Sequence, residues 1–127
     1  MDYCYAETNR RLGRMSDEHF ALYDRYFRSL DWSQAPVPDL LVYLSISDDE
    51  LIRRAMDSVR KFEKVEPEYF LMMKRVNREW LVGLKYESRS MNYGRILKVD
   101  TDKLDFAHDE EAKASLVEQV VRRLDLV

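Results

Sequence analysis

The sequence has little of several features around which small proteins are often built. Its 127 residues contain one cysteine, Cys4, so neither an internal disulfide nor a cysteine zinc cluster can form. Its three glycines do not fall in a GxxxxGK[ST] phosphate-binding loop. No apolar run reaches the roughly 18 residues that a membrane span needs, and the N-terminus lacks an apolar signal core. These absences predict a cytoplasmic chain that is not inserted in a membrane.

Motifs for common reactions are missing as well. The sequence has no GxSxG, HExxH or CxxC, and its two histidines, His19 and His108, have no cysteine or carboxylate neighbours at ligand spacing. We therefore expect both histidines on the surface and no metal ligands. A net charge of -3 argues against a general nucleic-acid binder, which carries a basic surface. Taken alone, the residues name no reaction.

The most informative stretch, residues 38–63, predicts a buried strand followed by a two-faced helix. The apolar run 40–44 is typical of a strand covered on both faces. Ser47 lies three residues before Glu50, which predicts a capping box in which each residue satisfies the other's backbone amide. One side of the following helix is apolar, and the other carries Arg53, Arg54, Arg60 and Lys61. This basic face is either placed over a polyphosphate or simply solvated.

The other segments predict a helix-rich α/β chain. We expect helices over residues 2–12, 17–30 and 67–86 and from residue 109 onward, with a second strand at 96–99. Ser16 is a predicted N-cap, Gly13 a helix stop and Pro67 a first helical residue. Apolar stripes point to inward positions, namely Tyr3, Tyr5 and Ala6 in the first helix and Phe70, Met73, Val76, Trp80 and Leu84 in the long one.

The order of these elements predicts a strand–helix–strand crossover between two parallel strands. Parallel sheets are found buried between helices and usually contain several strands. The chain has enough helices to cover both faces of a sheet, but two strands are too few to form that sheet. The chain therefore reads like the back half of a doubly wound domain.

Three segments, taken together, resemble the deoxynucleoside kinase family, in particular its bacterial deoxyadenosine and deoxyguanosine kinase branch. They are residues 3–23 (YCYAETNRRLGRMSDEHFALY), residues 38–63 (PDLLVYLSISDDELIRRAMDSVRKFE) and residues 96–106 (ILKVDTDKLDF). They occur in family order. The resemblance implies one partial domain over 1–127, the C-terminal portion of a P-loop-kinase-like doubly wound parallel sheet, with a LID region at about 47–66.

The resemblance also implies roles on the ATP side. Arg60 matches the second arginine of the LID's Arg-Gly-Arg, where a planar guanidinium can hold oxygens of the transferring phosphoryl group. Arg54 would lie near the adenine and phosphates of ATP. Asp105 and Phe106 fall in the loop whose backbone meets adenine. The implied cofactors are ATP and Mg²⁺.

On the nucleoside side, Glu63 matches the carboxylate that accepts from the sugar 3′-hydroxyl, and Tyr5 matches the aromatic ring beside the nucleobase. The resemblance implies phosphoryl transfer from ATP to the 5′-hydroxyl of a purine deoxynucleoside, in a homo-oligomer or with a partner chain. The chain departs from the family pattern at Ser58 and Val59, which replace the first LID arginine and the glycine. Losing such an arginine typically costs orders of magnitude in rate.

The family's P-loop, catalytic carboxylate and Glu-Arg-Ser motif precede the matched segments and are not among these 127 residues. We therefore expect the isolated chain to be inactive. The alternative is a non-catalytic interaction protein derived from a kinase remnant; a weaker one is a small nucleotide-binding module of unrelated origin. An upstream reading frame encoding a P-loop would favour the kinase. The residues do not fix which deoxynucleoside is preferred.

Overall fold

The computed structural model describes residues 2–34, 36, 38–57, 66–87 and 95–124. These residues form five helices, one short 3₁₀ turn and two strands. In chain order the elements are α1 (Asp2–Arg11), α2 (Asp17–Ser29), a 3₁₀ turn (Trp32–Gln34), β1 (Leu40–Ser45), α3 (Asp48–Asp57), α4 (Pro67–Glu87), β2 (Arg95–Asp100) and α5 (Glu110–Arg123). The predicted helix-rich chain with two parallel strands is confirmed.

The chain divides into two compact units. The first unit contains α1, α2, α4 and α3 from Leu51 onward. The second contains β1, the first turn of α3, β2 and α5. Within the described residues, no helix is both long enough and apolar enough to cross a membrane.

In the first unit, α1 packs against both α2 and α4. Small side chains of α1 are buried, which allows the helix backbones to approach closely. The hydroxyl of Thr8, fully buried, donates to the carbonyl of Cys4 at 2.7 Å, so its burial leaves no unsatisfied polar atom. The buried residues of α1 and α4 are Cys4, Ala6, Thr8, Val76 and Leu81.

The contact between α1 and α2 is aromatic. The ring of Tyr3 lies 4.9 Å from that of Phe27 and 5.8 Å from that of Phe20, measured between centroids. The Tyr3 hydroxyl donates to Asp24 at 2.8 Å. Burial, followed by that hydrogen bond, raises the pKa of Tyr3. This arrangement gives the ring an apolar contact and its hydroxyl a polar one.

The predicted helix ends of the first unit are confirmed. Gly13 has φ +73°, and its amide donates to Arg10 while the amide of Arg14 donates to Asn9, which is a Schellman motif. The Ser16 side chain accepts from the amide of His19 at the start of α2. Proline is the first residue of α4, as expected.

One of the predicted inward-facing positions of α1 was wrong. Tyr5 was expected to face the core with Tyr3 and Ala6, but 47% of it is exposed. The core position next to it is taken by Cys4 instead. Because α1 touches two helices, small residues fit its close contacts better than a second large ring does.

In the second unit, β1 and β2 pair in parallel, with Leu40 opposite Arg95 and Ser45 opposite Asp100. Helix α5 packs on β2, and Leu97, Val99 and Ala112 are buried. Asp109 is the N-cap of α5, where its side chain accepts from the amides of Glu111 and Ala112.

The expected burial of β1 on both faces was wrong. Its residues are only partly buried, and 50% of Leu44 is exposed. An apolar run indicates that a strand is suited to burial, but other elements must pack on the strand to bury it. Within the described residues, the second unit supplies one helix, which packs on β2.

Candidate functional site

The carboxyl ends of β1 and β2 lie side by side at Ser45 and Asp100. In open α/β sheets, ligands bind beyond the carboxyl ends of the strands. The segments that follow β1 and β2 are therefore the candidate binding elements of the second unit. The first leads into α3, and the second covers residues 101–109.

Thr101 fixes the spacing between these two strand ends. Its amide and its hydroxyl both donate to the carbonyl of Ser45, each at 2.8 Å. The hydroxyl of Ser45 donates in turn to the carbonyl of Val99 at 3.3 Å. Because Thr101 is buried, these bonds are shielded from competition by water. The strand ends are thus held in one geometry.

Asp102 links the start of α3 to the segment after β2. Its Oδ1 accepts from the amide of Ser47 at 2.7 Å. The Ser47 hydroxyl accepts from the amide of Glu50 at 3.3 Å, so half of the expected capping box is confirmed. The other half is corrected. The Ser47 amide was expected to donate to Glu50, but it donates to Asp102, which lies outside α3. The sequence predicts a turn over residues 100–103, which contains Asp102, but it did not predict this contact.

The segment expected to meet adenine is held together by Asp105. The Asp105 carboxylate accepts from the amide of Ala107 at 3.1 Å and hydrogen-bonds Nδ1 of His108 at 2.9 Å. Its carbonyl accepts from the amides of His108 and Asp109. The bond from His108 is the main reason that the pKa of Asp105 is lowered, and the backbone amides add to it. The Asp105 side chain therefore shapes this turn.

His108 lies on the surface as predicted, where its Nδ1 pairs with the carboxylate of Asp105 at 2.9 Å. Its partner lies three residues earlier in a turn and does not belong to a ligand set. Phe106, the other predicted adenine-loop residue, is half-buried in the same turn. The structure thus places both predicted adenine-loop residues in one turn beyond β2.

Only part of the predicted basic face lies within the residues that the structure describes. Arg54 lies in the last turn of α3 and is half-buried. Arg53 is exposed and pairs with Asp57 at 2.8 Å. Arg60 and Glu63, together with Ser58 and Val59, lie outside the described residues. Arg54 belongs to the first unit with Tyr5, whereas Asp105 and Phe106 belong to the second.

The described residues offer little to a metal ion. Among them, no group of three or more His, Cys, Asp or Glu side chains could hold one. The acidic residues near the strand ends are used in hydrogen bonds to backbone amides, as at Asp100 and Asp102.

A family model described as deoxynucleoside kinase matches residues 1–125 of the chain. Two curated relatives are deoxyguanosine kinases, one from Lactobacillus johnsonii and one from Lactobacillus acidophilus. Each is 26% identical over 132 residues, covering 97% of this chain. The alignment covers 56% of the first relative and 55% of the second. The chain therefore spans a little over half the length of these relatives.

The fold is similar to that of a solved structure, deoxyadenosine kinase from M. mycoides with bound dCTP. The TM-score is 0.72 at 16% identity, over 95% of this chain and 59% of that one. This similarity confirms the expected fold class, a helix-rich α/β fold with parallel strands like that of the solved kinase.

Proposed function

This chain belongs to the deoxynucleoside kinase family, and we propose that it is the C-terminal part of an ATP-dependent kinase acting on a purine deoxynucleoside. In that reaction the 5′-hydroxyl oxygen bonds to the γ-phosphorus of ATP, the bond to the β–γ bridging oxygen breaks, and ADP leaves. The observation that carries the proposal is the family match over nearly the whole chain. The names of the two curated relatives support a purine substrate.

We assign the ATP side to two parts of the chain. Asp105 holds its turn through the Ala107 amide and the His108 ring, which leaves the backbone beside Phe106 to meet adenine. Arg60 would hold oxygens of the transferring phosphoryl group, and Arg54 would approach the adenine and phosphates. Charge stabilisation of this kind acts on the transition state more than on the bound substrate.

We assign the nucleoside side to Tyr5 and Glu63. Tyr5 is 47% exposed on α1, so its ring is accessible for stacking against a base. Glu63 would accept a hydrogen bond from the sugar 3′-hydroxyl. Mg²⁺ bound together with ATP would neutralise charge on the phosphate oxygens.

The chain alone should be inactive, because phosphoryl transfer is chiefly positioning and charge stabilisation around the triphosphate. No GxxxxGK[ST] sequence is present to cradle the phosphates. The test incubates pure chain with ATP and each of the four deoxynucleosides and measures ADP. We expect no turnover above the protein-free control, and measurable turnover would contradict the prediction.

The positive test restores the rest of the kinase. The chain is co-expressed with the part of the Lactobacillus johnsonii deoxyguanosine kinase that the alignment leaves uncovered, and the purified mixture is assayed on all four deoxynucleosides. We expect purine-selective activity. Arg60→Ala should lower kcat by at least roughly 100-fold. The matched control is Arg122→Ala, because Arg122 is exposed on α5 and pairs with Glu118 on the same helix.

A second candidate is a non-catalytic interaction protein derived from a kinase. Ser58 and Val59 favour it, because they replace the arginine and glycine of the LID. Under this alternative, a purified complex with the complementary polypeptide forms but transfers no phosphate to any deoxynucleoside. The kinase proposal requires that the same complex be active.

A further inference from the structure

Helix α1, which carries Tyr5, is joined to α4 by an ion pair. Nη2 of Arg11 donates to Oε2 of Glu79 at 2.6 Å, across 68 positions of the chain. This bond is the main reason that the pKa of Arg11 is raised and that of Glu79 is lowered. Because the side chain of Arg11 is only 29% exposed, water competes less for its hydrogen bonds than at a fully exposed arginine. The contact therefore restrains the two helices relative to each other.

Arg11 is also held by its own helix. Its Nε donates at 2.9 Å to Oε1 of Glu7, one turn earlier. The Glu7 side chain is 13% exposed and accepts two further hydrogen bonds from Arg10. A planar guanidinium that is bonded to a carboxylate on each side has little rotamer freedom left. Arg11 is thus a stiff link between α1 and α4.

Tyr5 is fixed to α1 by its backbone, and its side chain is accessible. The Tyr5 carbonyl accepts from Nδ2 of Asn9 at 3.0 Å. Cys4, the preceding residue, is buried, and its carbonyl accepts from the Thr8 hydroxyl. Tyr5 itself is 47% exposed, so the direction of its ring depends on how α1 is set against the neighbouring helices. A change in the contact between α1 and α4 therefore moves the surface that Tyr5 presents.

We propose that Arg11, through its ion pair with Glu79, is a positioning residue for the deoxynucleoside, because it fixes the helix from which Tyr5 meets the base. This inference rests on the proposed function, from which the role of Tyr5 is taken. Arg11 itself does not touch the substrate. Stacking on a base that takes no part in the chemistry stabilises the bound substrate and the transition state equally, so its loss raises KM and leaves kcat unchanged.

The test uses the full chain co-expressed with the uncovered part of the Lactobacillus johnsonii deoxyguanosine kinase, as in the positive test above. KM is measured separately for the deoxynucleoside and for ATP. We expect Arg11→Ala to raise KM for the deoxynucleoside roughly five-fold, the equivalent of one ordinary hydrogen bond, with kcat and KM for ATP nearly unchanged. Glu79→Gln should act in the same direction. Because Glu79 is 52% exposed, this second variant keeps the test decisive where Arg11→Ala fails to fold.

The matched control is Arg122→Ala. Arg122 is exposed on α5 and pairs with Glu118 on the same helix, so its loss leaves α1 and α4 untouched. This variant should have the KM of the wild type for both substrates. An equal rise of KM in Arg122→Ala and Arg11→Ala would overturn the inference, because it would show that loss of any paired arginine has this effect.

A double-mutant cycle with Tyr5→Leu separates positioning from a general structural role. When Arg11 acts through Tyr5, Arg11→Ala raises KM for the deoxynucleoside much less in the Tyr5→Leu background than in the wild type. A merely structural role gives the same factor in both backgrounds, and that result would overturn the inference.

A measurement without turnover follows the restraint in the chain itself. Arg11→Ala and Glu79→Gln should each speed hydrogen exchange in residues 2–11 by roughly three-fold or more, whereas Arg122→Ala should not. Unchanged exchange in both α1–α4 variants would overturn the inference. Function and positioning fail separately: an active wild-type complex with a normal deoxynucleoside KM in Arg11→Ala rejects only the role of Arg11. A wild-type complex that transfers no phosphate rejects the proposed function and, with it, that role.

Discussion

The backbone amide of Ser47 donates to Oδ1 of Asp102 at 2.7 Å, across 55 positions of the chain. Ser47 precedes α3, and Asp102 follows β2. With the bonds from Thr101 to the Ser45 carbonyl, this contact ties together the two segments that leave the carboxyl ends of the strands. This contact therefore fixes the spacing of these two segments at the strand ends.

We expect Asp102→Ala to destabilise the chain by about 1 kcal/mol, the usual net value of one hydrogen bond. Asp102→Asn keeps an acceptor oxygen and should cost less. The measurement is urea unfolding followed by circular dichroism. Lys103→Ala is the neighbouring control, because Lys103 is exposed, and it should have almost no effect. Equal stability of Asp102→Ala and Asp102→Asn would show that the contact contributes nothing.

This contact also shows what the sequence could not predict. The capping box at Ser47 and Glu50 was readable because both residues lie within one turn. The partner of the Ser47 amide depends on the parallel register of β1 and β2, which no local pattern contains. The helix stop at Gly13 and the N-cap at Ser16 were predicted correctly because their signals are local. The contact of Asp102 with Ser47 was missed because it joins residues far apart in the chain.

Two burial predictions failed for a related reason. The run 40–44 predicted a strand covered on both faces, but Leu44 is half-exposed. Tyr5 was expected inside and lies outside, next to the buried Cys4. Hydropathy identifies side chains that are suited to burial, whereas actual burial depends on which elements the chain brings into contact. The predicted roles of Arg60 and Glu63 stay predictions.

The Schellman motif at the end of α1 predicts a backbone effect at Gly13. A Cβ added there meets nothing within 4 Å, so any cost comes from φ +73° alone. We expect Gly13→Ala to destabilise the chain by about 1 kcal/mol. Gly13→Asn should cost less because asparagine tolerates this conformation. Thermal unfolding of the two variants measures the difference, and an Ala variant as stable as the Asn variant would contradict it.

Glu7 predicts a pH-dependent contribution to stability. It accepts from Arg10 at 2.9 and 2.7 Å and from Arg11 at 2.9 Å, and the Arg10 bond is the main cause of its lowered pKa. A carboxyl whose folded pKa is lowered stabilises the fold above its ordinary pKa of about 4.3 and loses that effect as pH falls through the folded value. Glu7→Gln should therefore cost about 1 kcal/mol at pH 7, and this cost should shrink as the pH is lowered below about 4.3.

The control for Glu7 is Glu118→Gln on α5. Glu118 pairs with Arg122 one turn later, and both side chains are exposed. Exposed pairs of this kind contribute between about 0 and 1 kcal/mol, so its effect should be small at every pH. Urea unfolding at pH 7, 5 and 3 compares the two variants with the wild type. A Glu7→Gln effect that persists unchanged at pH 3 would show that charge is not its cause.

Asp105 links stability to the proposed ATP site. Because His108 lowers its folded pKa, the stabilisation it provides is complete above about pH 3.9 and is lost as pH falls through the folded value. Asp105→Asn keeps an acceptor for the Ala107 amide, whereas Asp105→Ala removes both contacts. Melting temperatures at pH 7 should rank wild type above Asn above Ala, and the wild type and Asn should converge in acid.

In the completed kinase, the same variants separate a shaping role from a catalytic one. If the Asp105 carboxylate only orders the turn proposed to meet adenine, Asp105→Ala should raise KM for ATP roughly five-fold, the equivalent of one ordinary hydrogen bond, with kcat nearly unchanged. Asp105→Asn should lie between the wild type and Ala. A fall in kcat without a change in KM would instead place the carboxylate at the transferring phosphoryl group, because only interactions made in the transition state alter kcat alone.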